Sequence, residues 1–234
     1  MPKKSPTAMV NRLLSRLSAG DFALLARNLS AVDLPIRKRL ENRNTRIDHV
    51  YFLESGFASV VGQSSGRSIE VGMIGREGMT GLAVVLGTDR SINDTFIQGA
   101  GSGWRIAAEN LRQAMAQSPS LQAGWLLYAH AFGAQTTSTA VANGRSKIEE
   151  RLARWILMAS DRVDSDELDL THEFLSMMLG VRRPGVTLAL HLLVQAGLIQ
   201  VARGIIRVID RKGMEEISNG AYGVPEAEFQ RLFG

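Results

Sequence analysis

Between Thr171 and Ile199 the apolar residues fall twice into a helical rhythm. Phe174, Leu175, Met178 and Leu179 recur at the spacing that gives a helix one apolar face. Thr171, just ahead of them, carries a hydroxyl suited to an orphan N–H of the first turn. Gly180, just behind, is the residue that most easily takes the left-handed conformation ending a helix. A second helix is predicted to start near Arg182, with Pro184 in its first turn, where a missing N–H costs nothing. It should run to Gln195 and stop at Gly197. At 100° per residue, Gly185, Val186, Ala189, Leu192 and Leu193 gather on one side. Arg183, Pro184, Thr187, Leu188, His191 and Gln195 gather on the other, which has no apolar stripe and should face solvent or a partner. Two helices, a glycine-containing turn and a basic leading end make a helix-turn-helix pattern. Two β-branched runs follow, Leu198–Val201 and Ile205–Ile209, separated by Ala202, Arg203 and Gly204. They read as a hairpin. The whole stretch is then a winged helix, with Arg203 at the tip of the wing.

The rest of the chain has other periods. Asn11 to Leu29 reads as two short helices broken at Ser18–Asp21. From Val32 to Ala107 the apolar runs are short and punctuated by turns. Ile69, Val71 and Met73 alternate with polar or small residues, the period of a half-buried strand. Glycines crowd between Gly56 and Gly103, which demands many tight turns. This is the pattern of a small antiparallel sandwich or roll. Ala107–Ala116 is helical. A long helix is expected from Ser120 to about Ala142, with a hinge at Asn143-Gly144. On it Leu121, Trp125, Tyr128, Phe132, Gln135, Thr139 and Ala142 form a heptad seam. Such a seam fits either a dimer interface or a helix packed on its own domain. Val163–Asp169 reads as an acidic loop, and residues 211–234 as one or two small helices. The predicted class is α+β, in three parts: a roll over residues 1–117, a long helix and hinge over 118–145, and a winged helix over 146–234.

Composition narrows the chemistry. The chain has 234 residues, 27 Lys and Arg against 23 Asp and Glu, and a net charge of +4. That balance fits a polyanionic partner without requiring one. There is no cysteine, which excludes disulfides, thiolate zinc sites and cysteine-held iron–sulfur clusters. No apolar run approaches the ~20 residues that span a bilayer. The N-terminus lacks the apolar core of a signal peptide. A cytoplasmic protein with no membrane partner is expected.

The stretch from Thr171 resembles the DNA-binding domain of the Crp/Fnr family of bacterial transcription regulators. The resemblance rests on Thr171-x-Glu173, Leu179-Gly180, Arg183, Val186 and Gly197-Leu198-Ile199, with Ile148–Arg154 similar to the family's preceding helix. Val50-Tyr51-Phe52-Leu53-x-x-Gly56 looks like the family's cyclic-nucleotide-binding β-roll, a double-stranded, jelly-roll-like sheet. The resemblance implies a homodimer paired on the long helix through Leu121, Trp125, Tyr128, Phe132, Gln135 and Thr139. It implies double-stranded DNA and RNA polymerase as partners. Arg183 matches a base-reading residue of the family, and an Arg there can bond guanine O6 and N7 in parallel. Arg182, Thr187, Leu188 and His191 share its end or face of the helix, and Leu188 can touch a thymine methyl. Thr171 and His172, with the N–H groups beside them, are placed for a phosphate, as is Arg203. Arg182, Pro184 and Leu188 depart from the family's usual hydroxyl, acid and polar residues, so the target sequence should differ.

For an effector, the resemblance implies a cassette of Gly-Glu followed about ten residues later by Arg-Ser. Arg90-Ser91 is present, but Met79-Thr80 stands where Gly-Glu belongs, with Gly81 next. Thr136 and Thr137 fall where the family contacts the base of the nucleotide. Half of the pocket, Thr80, Gly81, Arg90, Ser91, Thr136 and Thr137, is therefore a candidate site, and ordinary cyclic AMP binding is disfavoured. No cofactor is expected. The four histidines are scattered and never spaced as a metal pair. No catalytic motif is present, so no catalytic residue is assigned. The competing reading is a small-molecule-binding module whose winged helix makes protein contacts.

Overall fold

The computed structural model describes residues 5–234. It divides into two compact units, one of residues up to Val60 with Ile74–His130, the other of Val61–Met73 with Ala131–Gly234. The mixed helix and sheet class is as expected.

In the first unit, a 3₁₀ turn at Pro6–Ala8 leads to helices α1 (Arg12–Ser15) and α2 (Ala19–Ala26). Both start on side-chain caps. Asn11 Oδ1 accepts the N–H groups of Leu13 and Leu14, and Ser18 Oγ accepts that of Asp21. Asn11 is fully buried, and its amide also donates to the carbonyls of Leu53 and Gly78. The strands that follow are β1 (Ser30–Leu34), β2 (Arg39–Glu41), β3 (His49–Leu53), β4 (Phe57–Ser64), β5 (Arg67–Ile74), β6 (Asp94–Gly99) and β7 (Gly101–Ala107), of which the end of β4 and all of β5 but Ile74 belong to the second unit. They form two sheets, ordered β1-β7-β3 and β2-β6-β4-β5. β7 pairs antiparallel with β1 and β3, in register Val50↔Ile106 and Phe52↔Trp104. Val50, Phe52, Leu53, Met79, Ile97 and Ile106 fill the core. The crowded glycines have a steric reason: a Cβ on Gly101 would lie 2.1 Å from the Ser55 carbonyl oxygen. A four-residue helix α3 (Leu82–Val85) and α4 (Ala108–Gln117) complete this part.

The long helix α5 runs Pro119–Arg145 and passes from one unit into the other. Its heptad seam is turned inward. Leu121, Trp125, Tyr128, Gln135, Thr139 and Ala142 are all buried within the single chain. Trp125 packs against Phe52, with ring centroids 5.6 Å apart, and Tyr128 Oη donates to the Met79 carbonyl. Phe132 fills the space over Gly72, and Gln135 brackets Met73 through its N–H and carbonyl. These residues are buried, or half-buried for Phe132, within the single chain, so the expected dimer face along Leu121, Trp125, Tyr128, Phe132, Gln135 and Thr139 is corrected. A seam that large and aromatic is consumed by the chain's own strands. The expected hinge also moves. Asn143 and Gly144 are helical, and the break falls at Ser146-Lys147, where the Glu150 side chain accepts the Lys147 N–H.

In the second unit, α6 (Ile148–Ser160) precedes β8 (Glu167–Asp169), α7 (His172–Leu179), α8 (Arg183–Gln195), β9 (Ile199–Ala202), β10 (Ile205–Val208), α9 (Arg211–Ile217) and α10 (Val224–Phe233). The sheet order is β8-β10-β9. The stretch read as an acidic loop thus ends in a strand. Leu168 is buried opposite Ile206, and the acids flanking it point outward, with Glu167 paired to Arg207. On α8 the buried residues are Val186, Ala189, Leu190 and Leu193, whereas Leu192 is 39% exposed. The inner face is rotated toward Leu190 from the one expected. The C-terminal helices close over α6. Arg211 and Tyr222 both bond Asp161 at 2.7 Å, and the buried Arg154 donates to the Ala221 carbonyl and Thr139 Oγ1.

Candidate nucleic-acid interface

α7 and α8 meet at 105°, within the range of helix-turn-helix pairs. Local chemistry sets the angle. Thr171 Oγ1 accepts the Phe174 N–H and starts α7. Gly180 ends it at φ +62°, ψ +32°. The Val181 N–H then returns to the Ser176 carbonyl, closing the helix C-terminus. Gly180 is needed twice over, because a Cβ there would also come within 2.9 Å of Ile69 Cδ1. Arg182 is the extended N-cap of α8, with Pro184 in its first turn.

The outer face of α8 is Arg183, Pro184, Thr187, Leu188 and His191, all exposed, with Leu188 60% exposed. The Arg182 side chain makes no cap bond. Among the described residues neither Arg182 nor Arg183 enters an ion pair. Two guanidinium groups at the leading end of α8 are therefore uncommitted. Thr187 is not. Its hydroxyl donates to the Arg183 carbonyl at 3.2 Å and lies 3.0 Å from His172 Nδ1. With the hydroxyl hydrogen so used, Nδ1 of His172 carries the donor hydrogen. Thr187 and His172 thus brace α8 on the start of α7. Arg203 stands apart on the wing. It and Gly204 have φ +52° and +84°, the two left-handed positions of a two-residue type I′ turn. Its neighbour Arg207 is held by Glu167.

The candidate effector residues are mostly occupied. Thr80 is buried, exchanging bonds with the Tyr51 backbone through its own N–H and hydroxyl. The Gly81 N–H donates to Glu41 Oε1. Ser91 Oγ donates to the Asn93 carbonyl. Arg90 is exposed, donating to the Asn44 carbonyl with Asp89 3.7 Å away. Thr136 and Thr137, on α5, turn their hydroxyls to the carbonyls of Phe132 and Gly133. Sequence reasoning missed Glu41 altogether. Its only signal is a lone acid after the basic run Arg37-Lys38-Arg39. Among the described residues no group of His, Asp or Glu is arranged to hold a metal ion. Nor is any single helix long and apolar enough to cross a membrane.

Residues 150–217 match the family model of the Crp-like helix-turn-helix domain. No curated protein sequence matches the chain. Many solved structures match its fold. One is a transcriptional regulator of the Crp/Fnr family from Eubacterium rectale, at 21% identity and TM-score 0.67, covering 89% of this chain and 98% of that one. The fold of the chain is the fold of this Crp/Fnr regulator. FixK2 from Bradyrhizobium japonicum is similar at 14% identity and TM-score 0.69, over 81% of this chain and 96% of its own. A Crp-family transcriptional regulator from Thermus thermophilus is similar at 16% identity and TM-score 0.67, over 83% and 99%. The Crp-like segment begins in α6 and ends with α9, so it contains the whole α7–α8 pair and the wing. The rolled sheets and α5 are the Crp/Fnr architecture at the level of fold.

Proposed function

We propose that this chain is a cytoplasmic, sequence-specific DNA-binding transcription regulator that acts as a homodimer. The observation that carries the reading is the pair of uncommitted guanidinium groups at the leading end of α8. Arg183 is placed to read a guanine, and Arg182 and Arg203 to hold phosphates. Leu188 and His191 complete the reading face, while Thr171, His172 and Thr187 hold it in position. RNA polymerase is the protein partner that this role implies.

A homodimer needs a face that the single chain leaves open, and α5 has one. Ala123, Leu126, His130, Gly133, Thr137, Ala140 and Gly144 alternate at three- and four-residue spacing, and every one is exposed. Leu126, Leu127 and Val141 are 43%, 44% and 57% exposed. Added Cβ atoms at Gly124, Gly133 and Gly144 would meet nothing. A second, outer heptad of small residues lets two α5 helices approach closely while the aromatic seam stays inside. Two copies paired there would present two α8 helices to successive major grooves of a two-fold site.

Selection of bound sequences from random duplex DNA with the purified protein tests this. An inverted repeat with half-sites about ten base pairs apart is the expected product. Recovery of no sequence, with or without cell extract added, would sink the reading.

A further inference from the structure

Glu41 closes β2, and nothing in the DNA-reading surface uses it. It is buried, with 9% of the residue exposed. Oε1 accepts the Gly81 N–H, and Oε2 accepts the Thr95 hydroxyl at 3.0 Å. Among the described residues no Lys, Arg or His pairs with it. Burial raises its carboxyl above the usual range, and the bonds from Gly81 and Thr95 oppose that rise. A buried carboxylate without a cation is costly, and it persists only where its hydrogen bonds are complete.

The donors are set by parts of the backbone that do not depend on Glu41. Gly81 has φ +77°, and a Cβ there would fall 2.4 Å from Val50 Cγ2, so its N–H is fixed by close packing. Thr95 lies in β6, opposite Glu41 in the β2–β6 pairing. One backbone N–H and one hydroxyl converging from two segments are a receptor for an oxyanion. Gly81 is also one of the residues singled out from sequence as an effector site. The cation that would complete such a site for a diffusible anion, Arg90, instead lies in solvent against Asn44 and Asp89.

We propose that Glu41 is a built-in anionic ligand: its carboxylate fills the cradle of Gly81 and Thr95 from within the chain, so this unit folds around its own anion and admits no free phosphate or carboxylate there. The inference concerns the first unit alone and stands whether or not α8 reads DNA.

The test uses the full chain with Glu41→Ala. Thermal unfolding is followed in sodium formate and in sodium chloride at matched ionic strength. Wild-type protein should unfold at the same temperature in both salts. The variant should unfold lower, and formate, the smallest carboxylate, should restore part of the loss saturably. A variant that does not distinguish formate from chloride overturns the proposal. Should Glu41→Ala fail to fold, the wild-type protein decides. Inorganic phosphate is titrated while the Gly81 amide resonance is followed. An unmoved resonance is the expected result, and a saturable shift shows an open site and overturns the proposal.

Discussion

Trp155 Nε1 donates a 2.7 Å hydrogen bond to Glu70 Oε1, and both side chains are buried. The bond ties β5 to α6. Beside it, Ile69 packs on the turn glycine Gly180, and Gln135 grips both backbone groups of Met73. The β4–β5 hairpin is thereby fastened to α5, to α6 and to the corner between α7 and α8. Glu70→Ala should destabilise the protein by about 1.5–3 kcal/mol, the range for a hydrogen bond to a charged group whose partner is left buried. Tryptophan fluorescence during urea unfolding measures it. A loss below about 0.5 kcal/mol would show that the bond does not fasten the hairpin.

Gly180→Ala meets two separate obstacles, the left-handed φ and the 2.9 Å approach of Ile69 Cδ1. The backbone part alone is worth about 1–3 kcal/mol. Combining the change with Ile69→Ala should recover the steric part and leave the backbone part. A double-mutant cycle of unfolding free energies separates them. If the two changes were simply additive, Ile69 would play no part in shaping the corner.

The winged helix was legible because each of its devices is local. Thr171 caps, Gly180 and Gly197 stop, Arg203-Gly204 turns, and all four act within a few residues of themselves. The inner and outer faces of α5 were not separable, because both carry a heptad and only the partner decides which is core. The large aromatic seam was taken up by strands distant in sequence. The strand at Glu167–Asp169 was hidden because a three-residue edge strand has one buried position, Leu168, and two outward acids. Glu41 was invisible for the same reason as the inward seam: Gly81 and Thr95 meet it only across the fold.

Among the described residues the Arg183 guanidinium has no partner, and it stands at the entry of α8. Arg183→Ala should cost about 1–3 kcal/mol at the selected site and leave non-specific affinity nearly unchanged. Titrations of specific and random duplexes at one salt concentration measure the difference. An equal fall in both would make Arg183 a phosphate contact instead of a base reader.

The outer heptad of α5 predicts an asymmetry between neighbours. Leu126 is 43% exposed, whereas Trp125 is 2% exposed in the single chain. Leu126→Glu places two carboxylates together across a two-fold axis, a penalty of several kcal/mol. The dimer dissociation constant should weaken by roughly 100-fold or more, with little change in the unfolding of the monomer. Sedimentation at a series of concentrations reads this out. A variant that stays dimeric at wild-type affinity would place the interface elsewhere.

Glu41 gives the stability a definite pH sign. Burial, the largest effect, raises its carboxyl above the usual 4.5, while the bonds from Gly81 and Thr95 pull the other way. In the unfolded chain the group keeps its usual value. Below that value both states hold the proton, and the contribution to stability is complete. As the pH rises, the unfolded chain ionises first, so stability falls until the folded group has also ionised, and is constant thereafter. Glu41→Gln keeps the size and removes the titration. The stability of wild type relative to this variant should therefore decline as pH is raised upward from about 4.5, and level off above the folded value. Urea unfolding of both proteins from about pH 4 to 8 tests it. A difference that stays flat across that range would mean the buried carboxyl ionises no differently from one in water, and that the donors around it fully offset its burial.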